Sequence, residues 1–226
     1  MKGGGSERAK RRAGESATAA VEDGMVVGLG TGSTAAYAIR RLGERIEGGL
    51  EITGIPTSYQ SRDLAREVGI PLVTLEDALP DIAIDGADQI AGGDLVKGGG
   101  GAHAREKVVD SAADRFLVVA DPTKEVDVLD WPVPVEILPD ARATVTTAIE
   151  ALGGDPTLRQ AQCKDGPVVT DNGNLVLDCA FGPIDDPGTL ATDLSTLPGV
   201  VEHGLFVDLA DEIHVGTTDG VTVRKL

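Results

Sequence analysis

Short apolar runs rich in β-branched residues alternate with stretches of helical periodicity over the first half of the chain. The apolar runs predict strands, at Met25–Leu29, Glu51–Ile55, Pro71–Leu75, Ile82–Ile84 and Phe116–Ala120. The stretches between them predict helices, at Thr34–Ile46, Tyr59–Val68 and Ala102–Ala113. This alternation indicates an α/β fold with a Rossmann-like, mostly parallel sheet and helices on both faces. Ligands of such sheets bind at the carboxyl ends of the strands.

The pattern changes after Trp131, where prolines become frequent. Two further helices are predicted, at Arg142–Leu152 and Asp186–Leu197, followed by a strand at Val200–Phe206. Asn172-Gly173 between two apolar runs is a strong hairpin signal. We therefore predict a small inserted α+β domain at 131–206 and a larger α/β domain at 1–130 with 207–226. Two C-terminal strands, at Glu212–Gly216 and Val221–Arg224, are expected to return to the larger domain.

Composition narrows the classes of protein. No apolar run is long enough for a membrane span, and no secretory signal is predicted at the basic, glycine-rich start. The two cysteines, Cys163 and Cys179, lack metal-like spacing, so a reduced cytoplasm is expected. A net charge of −17 disfavours nucleic acid as a partner. The dispersed acidity suggests adaptation to high salt, with an ordinary acidic mesophilic protein as the alternative.

The loop Gly28–Thr34 follows a predicted buried strand and precedes a helix. Its glycines let the backbone approach a ligand, and the helix N-terminus with the Ser33 and Thr34 hydroxyls suits an anion such as phosphate. The spacing matches neither a Walker A loop nor G-x-G-x-x-G, and the second strand ends in Pro56-Thr57-Ser58 without a ribose-binding acid. Dinucleotide binding is therefore disfavoured. Tight packing of strand against helix remains the alternative.

Two carboxylates, Asp85 and Asp88, end the predicted strand at Ile82–Ile84. At the carboxyl end of a parallel strand they are placed for acid–base work or for binding sugar hydroxyls. An Asx turn or a helix N-cap is the alternative.

In the segment Lys97–Lys107, four consecutive glycines follow Lys97. Ordering four glycines costs much conformational entropy, so a specific role is expected for them. That role would be a close approach of the backbone to substrate. Glu106 falls early in the next helix, where partial burial would suit a general base. A surface ion pair with a neighbouring charged residue is the alternative. His103 is interpreted as a cap or surface residue, and no metal site is predicted.

Two lysines are candidates for binding an anion. Lys124 directly follows a predicted strand, and Lys10 lies near the N-terminus. A solvated surface lysine is the alternative for both.

Eight motifs occur in an order that is specific in combination. They are GLGTGSTA (28–35), IDGADQI (84–90), VKGGGGAHAREK (96–107), ADPTKEVD (120–127), VPVEILP (133–139), VVTDNGNLVLD (168–178), PGVVEHGLF (198–206) and GTTDGV (216–221). Together they resemble the A-type ribose-5-phosphate isomerases over nearly the whole chain. The resemblance implies a cytoplasmic enzyme of the pentose phosphate pathway that interconverts ribose 5-phosphate and ribulose 5-phosphate without metal or cofactor. It also implies a homodimer or homotetramer.

The resemblance assigns roles to individual residues. Glu106 matches the proton acceptor, Lys97 the cation near the enediolate oxygen, and Asp85 with Asp88 the acids that hold the sugar and help open its ring. The matching substrate-binding positions are Thr31, Gly32, Ser33, Thr34, Asp85, Gly86, Ala87, Asp88, Lys97, Gly98, Gly99, Gly100, Lys124 and Lys10. Gln89 departs from the family's usual DGADE and removes one charge beside the site.

Two other classes share this architecture. A sugar-phosphate-sensing domain of a transcription regulator would bind without turnover, but the acidic composition disfavours DNA binding. A coenzyme A transferase or glucosamine-6-phosphate deaminase is the second alternative. A transferase would use a glutamate nucleophile, so covalent trapping of Glu106 by an acyl-coenzyme A would distinguish it.

Overall fold

The structure, a computed structural model, describes residues 5–226. The first four residues of the predicted basic, glycine-rich start lie outside that range. Packing divides the described chain into two compact units. The larger comprises residues 5–87, 105–125 and 209–226, and the smaller comprises residues 88–104 and 126–208. Among residues 5–226, no helix combines the length and apolar character needed to cross a bilayer.

The larger unit is built on a six-stranded sheet of order β13-β12-β6-β3-β1-β2. All neighbours are parallel except β12 and β13, which are antiparallel. The strands are β1 (Val26–Leu29), β2 (Thr53–Pro56), β3 (Ile82–Gly86), β6 (Phe116–Ala120), β12 (Glu212–Gly216) and β13 (Val221–Lys225). The helices are α1 (Glu7–Ala17), α2 (Ala35–Glu47), α3 (Tyr59–Glu67) and α4 (His103–Ala112), of which α4 begins in the smaller unit.

Side-chain alternation along β1 explains why both faces of this sheet are covered. Val27 and Leu29 join the apolar core that contains Ala13 of α1 and Leu42 of α2. Gly28 points to the other face, where an added Cβ would lie 2.9 Å from Val109 of α4. Since successive strand residues face opposite sides, helices on both faces are required to bury this sheet.

The smaller unit contains two antiparallel sheets, of order β10-β7-β9-β8 and β11-β5-β4. Their strands are β4 (Gln89–Ala91), β5 (Asp94–Val96), β7 (Val133–Ile137), β8 (Asp155–Leu158), β9 (Leu175–Ala180), β10 (Val200–His203) and β11 (Leu205–Phe206). Helices α5 (Arg142–Ala151) and α6 (Pro187–Ser195) contribute Val145, Ile149 and Leu194 to its core. A separate core of this kind is what makes the unit compact by itself.

The predicted α/β fold with a mostly parallel sheet and a smaller second unit is confirmed. The predicted domain boundaries stay a prediction. Packing in the structure groups residues 88–104 and 126–130 with the smaller unit. The reason is that β5 pairs with both β4 and β11.

Two predicted strands need correction. Segment 71–75 is not a regular strand, because it meets β2 only through a single bridge between Gly54 and Leu72. The strand predicted at 200–206 is divided at Gly204, where an added Cβ would lie 2.2 Å from the Lys97 carbonyl oxygen. The turn predicted at Asn172-Gly173 is present, with the Gly173 amide donating to the Thr170 carbonyl at 2.9 Å.

Candidate active site

The loop after β1 and the end of β3 meet in the larger unit. Asp85 is fully buried, and its Oδ1 accepts the Thr31 backbone N–H at 2.9 Å and the Gly86 N–H at 2.6 Å. Gly30 makes this approach possible, since an added Cβ would lie 2.3 Å from Asp85 Cγ. The structure therefore brings Asp85 into direct contact with the loop predicted to bind phosphate.

The same loop is anchored to the end of β2 by hydroxyl groups. Thr31 Oγ1 lies 2.8 Å from Thr57 Oγ1 and 2.7 Å from Ser58 Oγ. Ser58 also caps α3, where it accepts the Ser61 amide at 3.1 Å. From the sequence, Thr57-Ser58 indicated only that the second strand lacks an acid to bind ribose. The support that these hydroxyls give to Thr31 was not predicted. The sequence signal that could have revealed it is a capping pair at the start of a helix, with Ser58 three residues before Ser61.

The rest of the predicted phosphate loop leads into α2. Gly32 adopts φ +110°, a left-handed conformation that favours glycine, and Ser33 is exposed. Thr34 directly precedes α2, whose Ala36 N–H donates to the Gly32 carbonyl at 3.0 Å. The loop thus presents backbone and hydroxyl groups at a helix N-terminus, an arrangement that suits an anion.

Glu106 lies in the first turn of α4 and is only 4% exposed. Its helix is positioned on the sheet by Val109, which packs at Gly28 of β1. The start of α4 lies near the start of α3, since the Arg105 guanidinium is 5.6 Å from the Tyr59 ring centroid. The alternative placed Glu106 on the surface, and the burial of its side chain excludes that position.

The two candidate lysines of the larger unit differ in their surroundings. Lys124 ends a short 3-10 helix, Pro122–Lys124, that Asp121 caps by accepting the Thr123 amide at 2.9 Å. Lys10 lies on α1, and its Nζ is 3.0 Å from Glu7 Oε1. Lys10 therefore has an intramolecular partner, which the sequence did not predict.

In the smaller unit, Asp88 contacts the glycine loop. Its Oδ2 accepts the Gly99 amide at 2.6 Å, and an added Cβ on Gly99 would lie 2.7 Å from Asp88 Oδ1. Gly98 has φ +104° and packs against the His103 ring, where an added Cβ would lie 2.7 Å from Nδ1. Glycine is therefore required at both positions, and the loop's sequence is explained by its geometry.

Lys97 is buried at the end of β5, with 2% of its surface exposed. Its backbone N–H donates to the Gly204 carbonyl at 2.8 Å, and its Nζ lies 5.2 Å from the Phe206 ring centroid. A cation over an aromatic face in a desolvated position is held more firmly than a surface lysine. Gly100 and Ala87 complete the predicted set; Gly100 is exposed and Ala87 is half-buried.

Gln89, next to Asp88 in the chain, is buried and hydrogen-bonds to residues 130 and 131. Its Oε1 accepts the amides of Asp130 and Trp131 at 2.8 and 2.9 Å, and its Nε2 donates to Asp130 Oδ1 at 2.5 Å. Asp130 thus explains why this chain has Gln89 where the family usually has glutamate: the Asp130 carboxylate needs a hydrogen-bond donor at this position.

Arg159 was not predicted from the sequence. Its Nη1 donates to the carbonyls of Gly98 and Gly99 at 2.9 and 3.3 Å, and its Nε donates to Asp178 Oδ2 at 2.9 Å. Arg159 belongs to no recognisable motif. It directly follows a short strand, and only the folding of the chain brings it to the glycine loop.

His103 was expected to be a cap or surface residue, and the surface expectation is wrong. It is fully buried, and its Nε2 lies 3.3 Å from the Glu202 carbonyl. Within residues 5–226 no group of three or more His, Cys, Asp or Glu side chains is arranged to hold a metal ion.

Comparison with known proteins gives consistent matches over the whole chain. The family model for ribose 5-phosphate isomerase A (phosphoriboisomerase A) matches residues 53–220. A ribose-5-phosphate isomerase A of Haloarcula marismortui is 71% identical over 226 residues, which cover 100% of this chain and 99% of the relative. The solved ribose 5-phosphate isomerase A of Methanocaldococcus jannaschii has a TM-score of 0.94 at 46% identity, covering 97% and 99% of the two chains.

A second solved structure carries a ligand. It is a D-ribose-5-phosphate isomerase in complex with phospho-erythronic acid, with a TM-score of 0.95 and 42% identity over 99% of this chain and 100% of that one. Fold, motifs and matches define the chain as an aldose–ketose isomerase. It belongs to the ribose 5-phosphate isomerase A family.

Proposed function

We propose that the chain interconverts D-ribose 5-phosphate and D-ribulose 5-phosphate through an enediolate, with Glu106 as the base. Moving the carbonyl from C1 to C2 requires removal of the C2 proton and its return at C1, which one carboxylate can perform in both steps. The observation that carries this assignment is the burial of Glu106, 4% exposed, in the first turn of α4. A carboxylate shielded from water exchanges its proton with substrate rather than with solvent.

The phosphate is proposed to bind at the loop Thr31–Thr34, with Lys124 and Lys10 as cationic partners. Support comes from the helix N-terminus that follows the loop and from the anchoring of Thr31 by hydroxyl groups. Lys10 would exchange Glu7 for phosphate, which costs little because the Glu7 side chain is 70% exposed. Fixing the phosphate converts binding energy into orientation of the sugar.

The sugar is proposed to bind at Asp85–Asp88, and the enediolate oxygens at Lys97 and the glycine loop Gly98–Gly100. Support comes from the backbone amides that hold both carboxylates in place: Asp85 Oδ1 accepts those of Thr31 and Gly86, and Asp88 Oδ2 accepts that of Gly99. Lys97 supplies a positive charge that is already desolvated and therefore needs no reorganisation when negative charge develops.

A cytoplasmic homodimer or homotetramer is proposed for the assembled enzyme. Apolar side chains on the surface of the smaller unit support self-association, with Leu138 50%, Val169 49% and Val201 42% exposed. Light scattering in molar KCl tests it, and a monomeric mass across the micromolar range would exclude it.

The experiment that tests the proposed function is the conversion of ribose 5-phosphate by the purified protein in molar KCl with EDTA. We expect activity to survive EDTA, and Glu106→Gln to lower kcat by at least about 100-fold, since general base catalysis contributes 10²–10⁴-fold. The matched control is Glu67→Gln, which changes an exposed carboxylate on α3. Retained activity of Glu106→Gln would remove Glu106 from its role. Trapping of Glu106 by an acyl-coenzyme A would instead support a transferase.

A further inference from the structure

Arg159 connects strand β9 to the glycine loop within the smaller unit. Its Nε donates to Asp178 Oδ2 at 2.9 Å, and its Nη2 forms a second, short bond to Asp178 Oδ1. Its Nη1 donates to the carbonyls of Gly98 and Gly99. The Arg159 side chain is 15% exposed and that of Asp178 is 33% exposed. The guanidinium is therefore fixed on one side by a bidentate carboxylate and on the other by two loop carbonyls.

The two loop contacts fix one peptide group at both ends. The Gly98 carbonyl accepts Arg159 Nη1 at 2.9 Å, and the N–H of the same peptide, on Gly99, donates to Asp88 Oδ2 at 2.6 Å. In a trans peptide the carbonyl and the N–H point in opposite directions. Arg159 and Asp88 thus hold this peptide from opposite sides.

The next peptide follows the same geometry. The Gly99 carbonyl accepts Arg159 Nη1 at 3.3 Å, so the Gly100 N–H of that peptide points away from the guanidinium. Gly100 as a residue is exposed, which places this peptide at the surface of the loop. A backbone bond from the Gly101 N–H to the Gly98 carbonyl, at 2.9 Å, closes the turn. Without Arg159 this bond alone would hold a run of four glycines, whose backbone has many alternative conformations, so the direction of the Gly100 N–H would be less well fixed.

We propose that Arg159, oriented by Asp178, is a positioning residue for the isomerisation. It holds the Gly98–Gly99 and Gly99–Gly100 peptides so that Asp88 binds a sugar hydroxyl and the Gly100 N–H donates to the enediolate oxygen. This inference rests on the proposed function, because it assigns the glycine loop to the substrate. Arg159 itself does not touch the reacting atoms. Its contribution is the prior alignment of a donor, which matters most where negative charge develops.

The test compares Arg159→Met, Arg159→Lys and wild type in kcat and KM for ribose 5-phosphate. We expect Arg159→Met to lower kcat by about 100-fold, as when one oxyanion donor is lost, with a change in KM below about threefold. Arg159→Lys keeps the positive charge but loses the planar fork that binds Asp178 and the loop carbonyls together, so it should recover only part of kcat. Methylguanidinium added to Arg159→Ala should restore more activity than methylammonium.

Ligand binding separates positioning from simple stabilisation. Phospho-erythronic acid carries a carboxylate where the enediolate charge develops, whereas ribitol 5-phosphate has the phosphate and hydroxyls without that charge. We expect Arg159→Met to weaken the first ligand in proportion to kcat and to leave the second within about threefold. A purely structural role would lower thermal stability and weaken both ligands alike.

The matched control is Arg115→Met, which removes another arginine–carboxylate pair, with Glu212, in the larger unit. It should leave kcat unchanged. A folded Arg159→Met protein with kcat within threefold of wild type would overturn the inference. The proposed function fails separately, through an inactive wild type or a fully active Glu106→Gln.

Discussion

At the scale of single residues, Gln89 shows how one substitution is matched by its neighbour. The Gln89 amide uses both ends: its oxygen accepts two backbone amides, and its nitrogen donates to Asp130. A glutamate would accept the same two amides but would direct its second oxygen at the Asp130 carboxylate. Repulsion in a position that is 2% exposed would follow.

We therefore expect Gln89→Glu to lower the free energy of unfolding by roughly 1–3 kcal/mol, the cost of an unsatisfied buried polar group. Urea denaturation at neutral pH in constant KCl measures it. The double variant Gln89→Glu/Asp130→Asn should regain most of the loss, because the asparagine supplies the missing donor. Equal destabilisation in the single and double variants would show that the Asp130 carboxylate does not determine the preference for glutamine at position 89.

At the scale of elements, α1 is joined to strand β12 by a buried histidine. His214 Nδ1 lies 2.9 Å from Ser16 Oγ, and its Nε2 is 3.5 Å from Glu212 Oε2. Burial lowers the pKa of His214 below its usual 6.5; Glu212 opposes this shift and the Arg115 charge adds to it. The folded protein therefore binds a proton at His214 less readily than the unfolded chain does.

The sign of the pH dependence follows from linkage. Above about pH 6.5 both states carry neutral His214, and it contributes no pH dependence. As the pH falls below 6.5, the unfolded chain takes up the proton first, so stability decreases until His214 in the fold is also protonated. Burial raises the pKa of Glu212, but Arg115, Lys225 and His214 outweigh it and leave that pKa below 4.5, so its contribution is lost only at lower pH.

We expect the melting temperature to decrease between pH 7 and 5, and His214→Asn to flatten this decrease. The matched control is Ser16→Ala, which removes the hydrogen bond but keeps the titrating ring and so should keep the slope. Thermal melts in constant KCl at half-unit pH steps measure both. An unchanged slope in His214→Asn would assign the acid sensitivity to other groups.

Most elements of the larger unit follow from sequence periodicity. Three strands, β1, β3 and β6, are buried on both faces, and their sequences are short continuous apolar runs. The helices α2 and α3 begin within one residue of their predicted starts. The three-residue strands β4 and β5 were missed because three residues are too few to show a period. Segment 71–75 has the composition of a strand but lacks a ladder.

In the candidate site, too, some residues could be predicted from the sequence and others could not. Thr31, Asp85, Asp88 and Glu106 lie in compact motifs, where glycine spacing and position at a strand's end indicate chemistry. Arg159 donates to Gly98 across 61 positions of sequence, and no local pattern encodes such a contact. Residues that act through the backbone of a distant loop are visible only once the fold is known.

At the scale of the whole molecule, the net charge of −17 sets the response to salt. Like charges held close together in a folded protein repel one another, and unfolding relieves this repulsion by moving them apart. The screening length falls from about 10 Å at 0.1 M salt to about 3 Å at 1 M, which is shorter than most separations between surface charges.

We expect both the melting temperature and kcat/KM to rise as KCl increases from about 0.1 to 2 M. Each 1 kcal/mol of relieved repulsion should raise the melting temperature by about 2–4 °C in a chain of this size. Sorbitol at equal osmolality is the control, because it stabilises compact states without screening charge. If KCl and sorbitol gave equal gains, screening would not be the cause. Loss of activity in molar KCl would identify an ordinary acidic mesophilic enzyme, whose surface carboxylates serve solubility alone.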